Sequence, residues 1–229
     1  PFGDPFRSDS FRLPFSTSTR CFPMGALSLG DATGLLGFGT QFFCFFFLDY
    51  KPGLFSWTFS PLRPVLTRYC GKLIFLTGQT NLLGFLYYCL RGAAAAYDWT
   101  ALQTCLGGLF PAVFALGSFL TPAYYGLDHF GPEGIKIRKH IEELGYPAVH
   151  VLAHLEHAFS LPVVWIDAVS GSVPSSYGAP LGGLTALTVY MGFYTTLAHV
   201  NKHATGEWPY EIVDDVERAG GAAGRDAFF

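Results

Sequence analysis

The stretch Ala148-Val149-His150-Val151-Leu152-Ala153-His154-Leu155-Glu156-His157-Ala158-Phe159-Ser160-Leu161-Pro162-Val163-Val164-Trp165-Ile166 carries one formal charge, Glu156, over a length that crosses a bilayer as a helix. It also carries three histidines. Ionisable side chains at membrane depth are costly and are usually kept for function. A hydrocarbon core about 30 Å thick needs roughly 20 apolar helical residues. Four further segments have that character: Ala32–Leu48, Leu73–Leu90, Leu106–Leu127 and Leu181–Val200.

Half of the 229 residues are hydrophobic and only 14% are charged, which is too apolar and too poor in charge for an ordinary soluble domain of this size. The expected fold is therefore all-α, a polytopic transmembrane helical bundle of about five spanning helices. It divides into a polar, Phe-containing arm over residues 1–29, the bundle over 30–203 and a polar C-terminal tail over 204–229. A net charge of −3, with no basic stripe, argues against nucleic acid as a partner. The cysteines, Cys21, Cys44, Cys70, Cys89 and Cys105, are scattered without metal-ligand spacing and read as small buried hydrophobes.

Alternating the five spans across a membrane places Arg7, Arg12, Arg20 and Arg91 on one side and the other ten Lys and Arg residues on the opposite, cytoplasmic or matrix, side. In the second span, Thr77, Thr80, Asn81, Gly84 and Tyr88 fall on one face at about 3.6 residues per turn. This small and polar face is expected to look into the bundle. Pro111 and Pro122 predict a bend in the third span. Gly131–Gly145 reads as a short interfacial helix or as a solvated connector. The opening residues contain Arg7, Arg12 and Arg20 among Ser and Thr, and begin on Pro rather than Met. They read as the remainder of organellar processing or as a partner-bound tail.

His150, His154 and His157 occupy an arc of roughly 60° on a single helix face, with Glu156 about 100° from His157. His199 and His203 share a face of the fifth span. Three readings compete: a metal or haem site, a packing or interfacial role, and a general base beside a hydroxyl nucleophile. No carboxylate shares the His150 face and the clustered boxes of membrane di-iron enzymes are absent, so no metal and no cofactor are expected.

The order of motifs from residue 70 to 215 resembles the androgen-induced gene one family, multispanning membrane hydrolases of fatty acid esters of hydroxy fatty acids. Gly71-Lys72-Leu73-Ile74-Phe75-Leu76-Thr77 is similar to its Phe-Leu-Thr element. Phe110-Pro111 and Tyr124-Tyr125-Gly126-Leu127-Asp128 are similar to its Phe-Pro and Tyr-x-Tyr-Asp elements. His154-Leu155-Glu156-His157 with Leu161-Pro162 resembles its His-Gly-x-His and Leu-Pro, and His203-Ala204-Thr205-Gly206-Glu207-Trp208 its His-x-Thr-Gly-x-Trp. The resemblance implies Thr77 as nucleophile and His157 as its base, giving an acyl-threonine that water hydrolyses. Asn81, one turn from Thr77, is a candidate oxyanion donor, and Thr80, His154 and His203 are expected to line or support the pocket. Asp167, ten residues from His157, is too distant to orient that ring.

The chain departs from the family at Ala153 and Leu155, at Trp208-Pro209-Tyr210 where Trp-x-Tyr-Pro is usual, and in lacking a sixth span. A second reading therefore stands beside the first: a non-catalytic accessory subunit of a larger membrane assembly, such as a mitochondrial respiratory-chain complex. In that reading the arm with Phe2, Phe6, Phe11, Phe15 and Phe22 docks on partner subunits. Membrane lipids are expected partners in both, and the membrane is the mitochondrial inner membrane or the endoplasmic reticulum.

Overall fold

The computed structural model describes residues 27–47, 71–143, 145–170 and 180–228, and within these the chain is all-helical. The N-terminal arm before Leu27 and the connection carrying Lys51, Arg63 and Arg68 lie outside the described residues. The first helix, α1 (Leu29–Phe47), starts where Ser28 can cap it. The Ser28 hydroxyl accepts the Asp31 amide at 3.0 Å and donates to the Asp31 carboxylate at 2.5 Å, an N-cap in which one residue pair closes the first turn.

A 3₁₀ turn, Gly71–Ile74, leads into α2 (Leu76–Ala96), and α3 (Thr100–Ala123) returns antiparallel to it after a three-residue connection centred on Asp98. The polar face expected of α2 does look inward: Thr77, Thr80, Asn81 and Tyr88 are all buried. Glycines let α1 and α2 approach closely. An added Cβ on Gly84 would sit 2.3 Å from the Phe38 ring, and one on Gly34 would sit 2.2 Å from the Tyr88 ring. Phe38 and Tyr88 stack at 5.7 Å, and both rings are fully buried, so neither can swing aside. Gly84→Ala should therefore destabilise the protein by about 1–3 kcal/mol through overpacking, read as a lowered thermal midpoint in detergent.

α3 contains both Pro111 and Pro122 and gives way at Tyr124 to a π-helical turn, Tyr124–His129. Helix α4 (Pro132–Glu143) then follows, so the segment expected as an interfacial helix or a connector is a helix. Among the described residues, Thr100–His129 forms one of two helical runs long and apolar enough to cross a membrane, and Val149–Ser170 forms the other.

That second run covers the segment expected as a span from Ala148 to Ile166, but its helix is interrupted. It consists of α5 (Val149–His157) and α6 (Ser160–Ser170). Pro162 supplies the reason, since it lacks an amide proton and its ring crowds the carbonyl of Ala158. The remaining helices are α7 (Pro180–Thr205) and α8 (Glu211–Phe228), the latter bent at Gly221, which has φ +60°. The C-terminal tail is thus largely helical, and α7 runs two residues beyond the boundary drawn at 203.

The core joins α1, α2, α3 and α6 through Phe38, Tyr87, Tyr88, Phe110, Val163 and Val164. Helix α5 also lies on α1, and α7 lies on α3. Large apolar side chains face outward as well, among them Leu36, Phe119, Val169, Leu184, Val189 and Phe193.

Arg91 requires a second correction. The second span was expected to end at Leu90 with Arg91 in a loop, but α2 continues to Ala96 and buries it. Its guanidinium meets Asp31 at 2.8 Å and Asp167 at 2.5 Å, and Asp167 also accepts the Tyr88 hydroxyl at 3.0 Å. This ion triad ties α1, α2 and α6 together at the end of α2 opposite Thr77, about 21 Å away along the axis.

Candidate active site

Thr77 is the second residue of α2, and His157 is the last of α5, where Pro162 has interrupted the helix. Their side chains meet: Thr77 Oγ1 lies 3.2 Å from His157 Nε2, and both residues are at least nine-tenths buried. The other ring nitrogen, Nδ1, is 2.7 Å from the carbonyl oxygen of Ala153. A carbonyl can only accept, so Nδ1 carries the proton and Nε2 is left as the acceptor for the Thr77 hydroxyl. No acid is required for this orientation. The backbone of α5 one turn earlier fixes the tautomer.

Tyr124 fixes the plane of the same imidazole, its ring stacked on His157 at 3.9 Å and 9°. Its hydroxyl bonds to His129 Nδ1 at 3.1 Å, and the neighbouring Tyr125 hydroxyl bonds to His154 Nδ1 at 2.8 Å. The π-helical turn aims these successive tyrosines at histidines of two different elements, in keeping with the frequent placement of π-turns at functional sites.

The break after α5 frees carbonyls that an unbroken helix would satisfy, and side chains of three other helices take them. Gln41 of α1 and Asn81 of α2 both donate to the Glu156 carbonyl, at 2.9 and 3.1 Å. Thr121 of α3 donates to the His157 carbonyl at 2.6 Å and pairs with the Ser160 hydroxyl at 2.9 Å. The polar residues around the kink thus hold His157 by its main chain. The Asn81 amide, expected at an oxyanion, is directed at the Glu156 carbonyl instead.

The C-terminal motif closes the site from the other side. Gly206, with φ +78°, ends α7 in the left-handed region where glycine costs least. Thr205 accepts the Glu207 amide at 3.2 Å, and Asn201 donates to the Glu207 carbonyl at 2.7 Å. These bonds set the turn that buries Trp208 against α7 and lays Tyr210 over the start of α2. There the Leu76 amide, which the N-cap residue Phe75 cannot satisfy with its side chain, donates to the Tyr210 hydroxyl at 2.9 Å. Burial pushes the Tyr210 phenol up to about 12, against the opposing pull of the Leu76 amide.

The remaining histidines do not converge on this pair. His150 pairs with Glu142 at 3.1 Å on an exposed surface. His199 bonds to its own Thr195 carbonyl at 2.8 Å and packs edge-on against Trp208, while His203 is exposed. His154 lies beside His129, ring centroids 4.6 Å apart, in the tyrosine cluster rather than at Thr77. Thr80 is buried one turn below Thr77 and borders a small apolar void with Phe38, Gly84, Val113 and Leu116. No group of three or more His, Cys, Asp or Glu side chains among the described residues is arranged to hold a metal ion.

Sequence reasoning missed Tyr124, His129, Tyr210 and Ala153 as parts of the site. Tyr124 and Tyr210 were both within quoted motifs. Their roles depend on a π-turn and a left-handed glycine, neither of which has a side-chain periodicity to read. No protein-family model, curated protein or solved structure matches the chain.

Proposed function

We propose that this chain is an integral membrane lipid-ester hydrolase of the kind the androgen-induced gene one family resemblance implies, with Thr77 as nucleophile and His157 as general base. The 3.2 Å contact between Thr77 Oγ1 and His157 Nε2 carries this reading. It joins two motifs eighty residues apart in the correct tautomer for proton transfer. In the reaction Thr77 Oγ1 attacks the ester carbonyl carbon as its proton passes to His157 Nε2. His157 returns that proton to the departing alcohol, and a water activated in the same way releases the fatty acid.

The substrate class follows from the setting. The spans proposed to accompany Thr100–His129 and Val149–Ser170 are α1, α2 and α7, with 19, 21 and 26 residues. Their outward Leu, Val and Phe side chains suit contact with lipid tails, from which an acyl ester would reach a buried pair laterally. Removing Arg91 from the loop charges leaves Arg7, Arg12 and Arg20 as the only Lys or Arg residues on their side of this five-span arrangement. The larger basic excess then still marks the cytoplasmic or matrix face.

The test is covalent trapping. Purified protein in detergent, incubated with a fatty acid ester of a hydroxy fatty acid and quenched in acid, should yield a tryptic peptide acylated on Thr77, and His157→Ala should abolish the adduct. An adduct on another residue, or none with any long-chain ester, would overturn the assignment and favour the accessory-subunit reading.

A further inference from the structure

We infer that the ring face of Tyr124 stabilises the imidazolium that His157 becomes when it takes the Thr77 proton, the part that a carboxylate plays in a Ser-His-Asp triad. This rests on the hydrolase reading above, and it makes Tyr124 a positioning residue that acts through His157. At Nδ1, where a triad has its acid, His157 donates to the neutral carbonyl of Ala153 at 2.7 Å.

The stacking geometry carries the inference. Neutral aromatic rings avoid a face-to-face sandwich and settle offset or edge-on with centroids about 4.5–7 Å apart, because each face carries the negative end of the ring quadrupole. Phe42 and Phe85 stack at 4.9 Å, and Phe38 and Tyr88 at 5.7 Å. Tyr124 and His157 stand closer, at 3.9 Å and 9°. That approach suits a cation lying over a negative face, which is attractive within about 6 Å of the ring centroid. The Tyr124 ring is held from its edges, its hydroxyl bonded to His129 Nδ1 at 3.1 Å and Tyr125 packed edge-on at 5.0 Å.

The positive charge exists only during the chemical steps. As the Thr77 Oγ1–carbon bond forms, the carbonyl π pair passes to the ester oxygen and the Thr77 proton passes to His157 Nε2, so the imidazole becomes a cation. The charge lasts until the carbonyl reforms, the bond to the alcohol oxygen breaks and Nε2 gives its proton to that oxygen. It returns when water attacks the acyl-threonine by the same route. His157 is 9% and Tyr124 5% exposed, so water solvates this cation poorly and the ring face over it is worth the most. An attraction present in the transition state and absent from the neutral resting pair raises kcat and leaves KM unchanged.

Tyr124→Phe keeps the ring face and deletes only the hydroxyl on His129. Phenylalanines bearing one, two and three ring fluorines, placed at the same position of the full chain by nonsense suppression, drain the face of negative charge at nearly constant shape. With a long-chain p-nitrophenyl ester as probe in detergent, kcat should fall stepwise along this series, by about 10–30-fold at three fluorines, with KM and the thermal midpoint as in Tyr124→Phe. The corresponding non-hydrolysable ether, which binds without forming the cation, should keep the same affinity throughout. Constant kcat along the series, or ether affinity falling in step with kcat, would make the ring a spacer that acts by shape. Loss of all turnover in Tyr124→Phe would make the hydroxyl the essential group, and any of these results overturns the proposal. Acylation of Thr77 with constant kcat along the series removes only the role of Tyr124. A wild-type protein that neither hydrolyses the probe nor acylates Thr77 removes the hydrolase reading itself.

Discussion

Thr77→Ala and His157→Ala should each lower kcat for a long-chain ester by at least about a thousand-fold, and the double variant should lose little more than either alone. Groups that act as one unit are strongly non-additive, because removing the nucleophile leaves the base nothing to activate. The bonding around the kink makes the expectation specific. His157 is held by Tyr124 stacking and by Thr121 on its carbonyl, neither of which involves its Nε2, so deleting the Thr77 hydroxyl leaves the ring in place. Thr77→Ala should therefore keep a wild-type thermal midpoint to within the roughly 1 kcal/mol expected of one lost hydrogen bond, whereas His157→Ala also removes a buried, stacked ring and should cost about 2–5 kcal/mol. His150→Ala, which removes only an exposed contact with Glu142, should leave kcat unchanged. Steady-state kinetics beside thermal unfolding checks all four variants, and equal activity in the single variants and wild type would exclude the pair as the catalytic unit.

Arg91→Met should have the largest effect on stability, about 3–5 kcal/mol. The substitution leaves Asp31 and Asp167 facing one another with no cation, in a site where the Arg91 and Asp31 side chains are 8% exposed and that of Asp167 is 0% exposed. Removing one partner of a buried ion group strands the other charges, and that penalty exceeds the net worth of the intact group. Neutralising all three together, Asp31→Asn, Arg91→Met and Asp167→Asn, should recover most of the loss, since each asparagine keeps a hydrogen-bonding side chain beside Ser28 or Tyr88. Thermal unfolding in detergent followed by circular dichroism gives both numbers. A triple variant less stable than Arg91→Met would mean that attraction within the triad outweighs its desolvation. The triad lies at the far end of α2 from Thr77, so partial folding losses should appear as lost active protein rather than as altered KM.

The helical fold was legible because long apolar runs separated by polar connections leave few alternatives. The inward face of α2 was legible because Thr77, Thr80, Asn81, Gly84 and Tyr88 repeat at the helical period. The pairing of Thr77 with His157 was reachable only through the resemblance of motifs. Residues eighty positions apart have no local signal that brings them together, and their contact depends on how α2 packs beside the kink. Arg91 could have been suspected as buried from its cost at depth, with Asp31 and Asp167 near other span ends as the available anions. The expected loop position instead followed from ending the span at its last apolar residue.

Sequence by itself determined the apolar helical runs and the inward polar face of α2, because hydrophobic period and charge act within a few residues. Tertiary structure alone decided which groups occupy the site. The freed Glu156 and His157 carbonyls recruit Gln41, Asn81 and Thr121 from three other helices, and the uncapped start of α2 is completed by Tyr210 from beyond α7. The physical reason is that a buried carbonyl or amide requires a partner but does not specify from which part of the chain it comes.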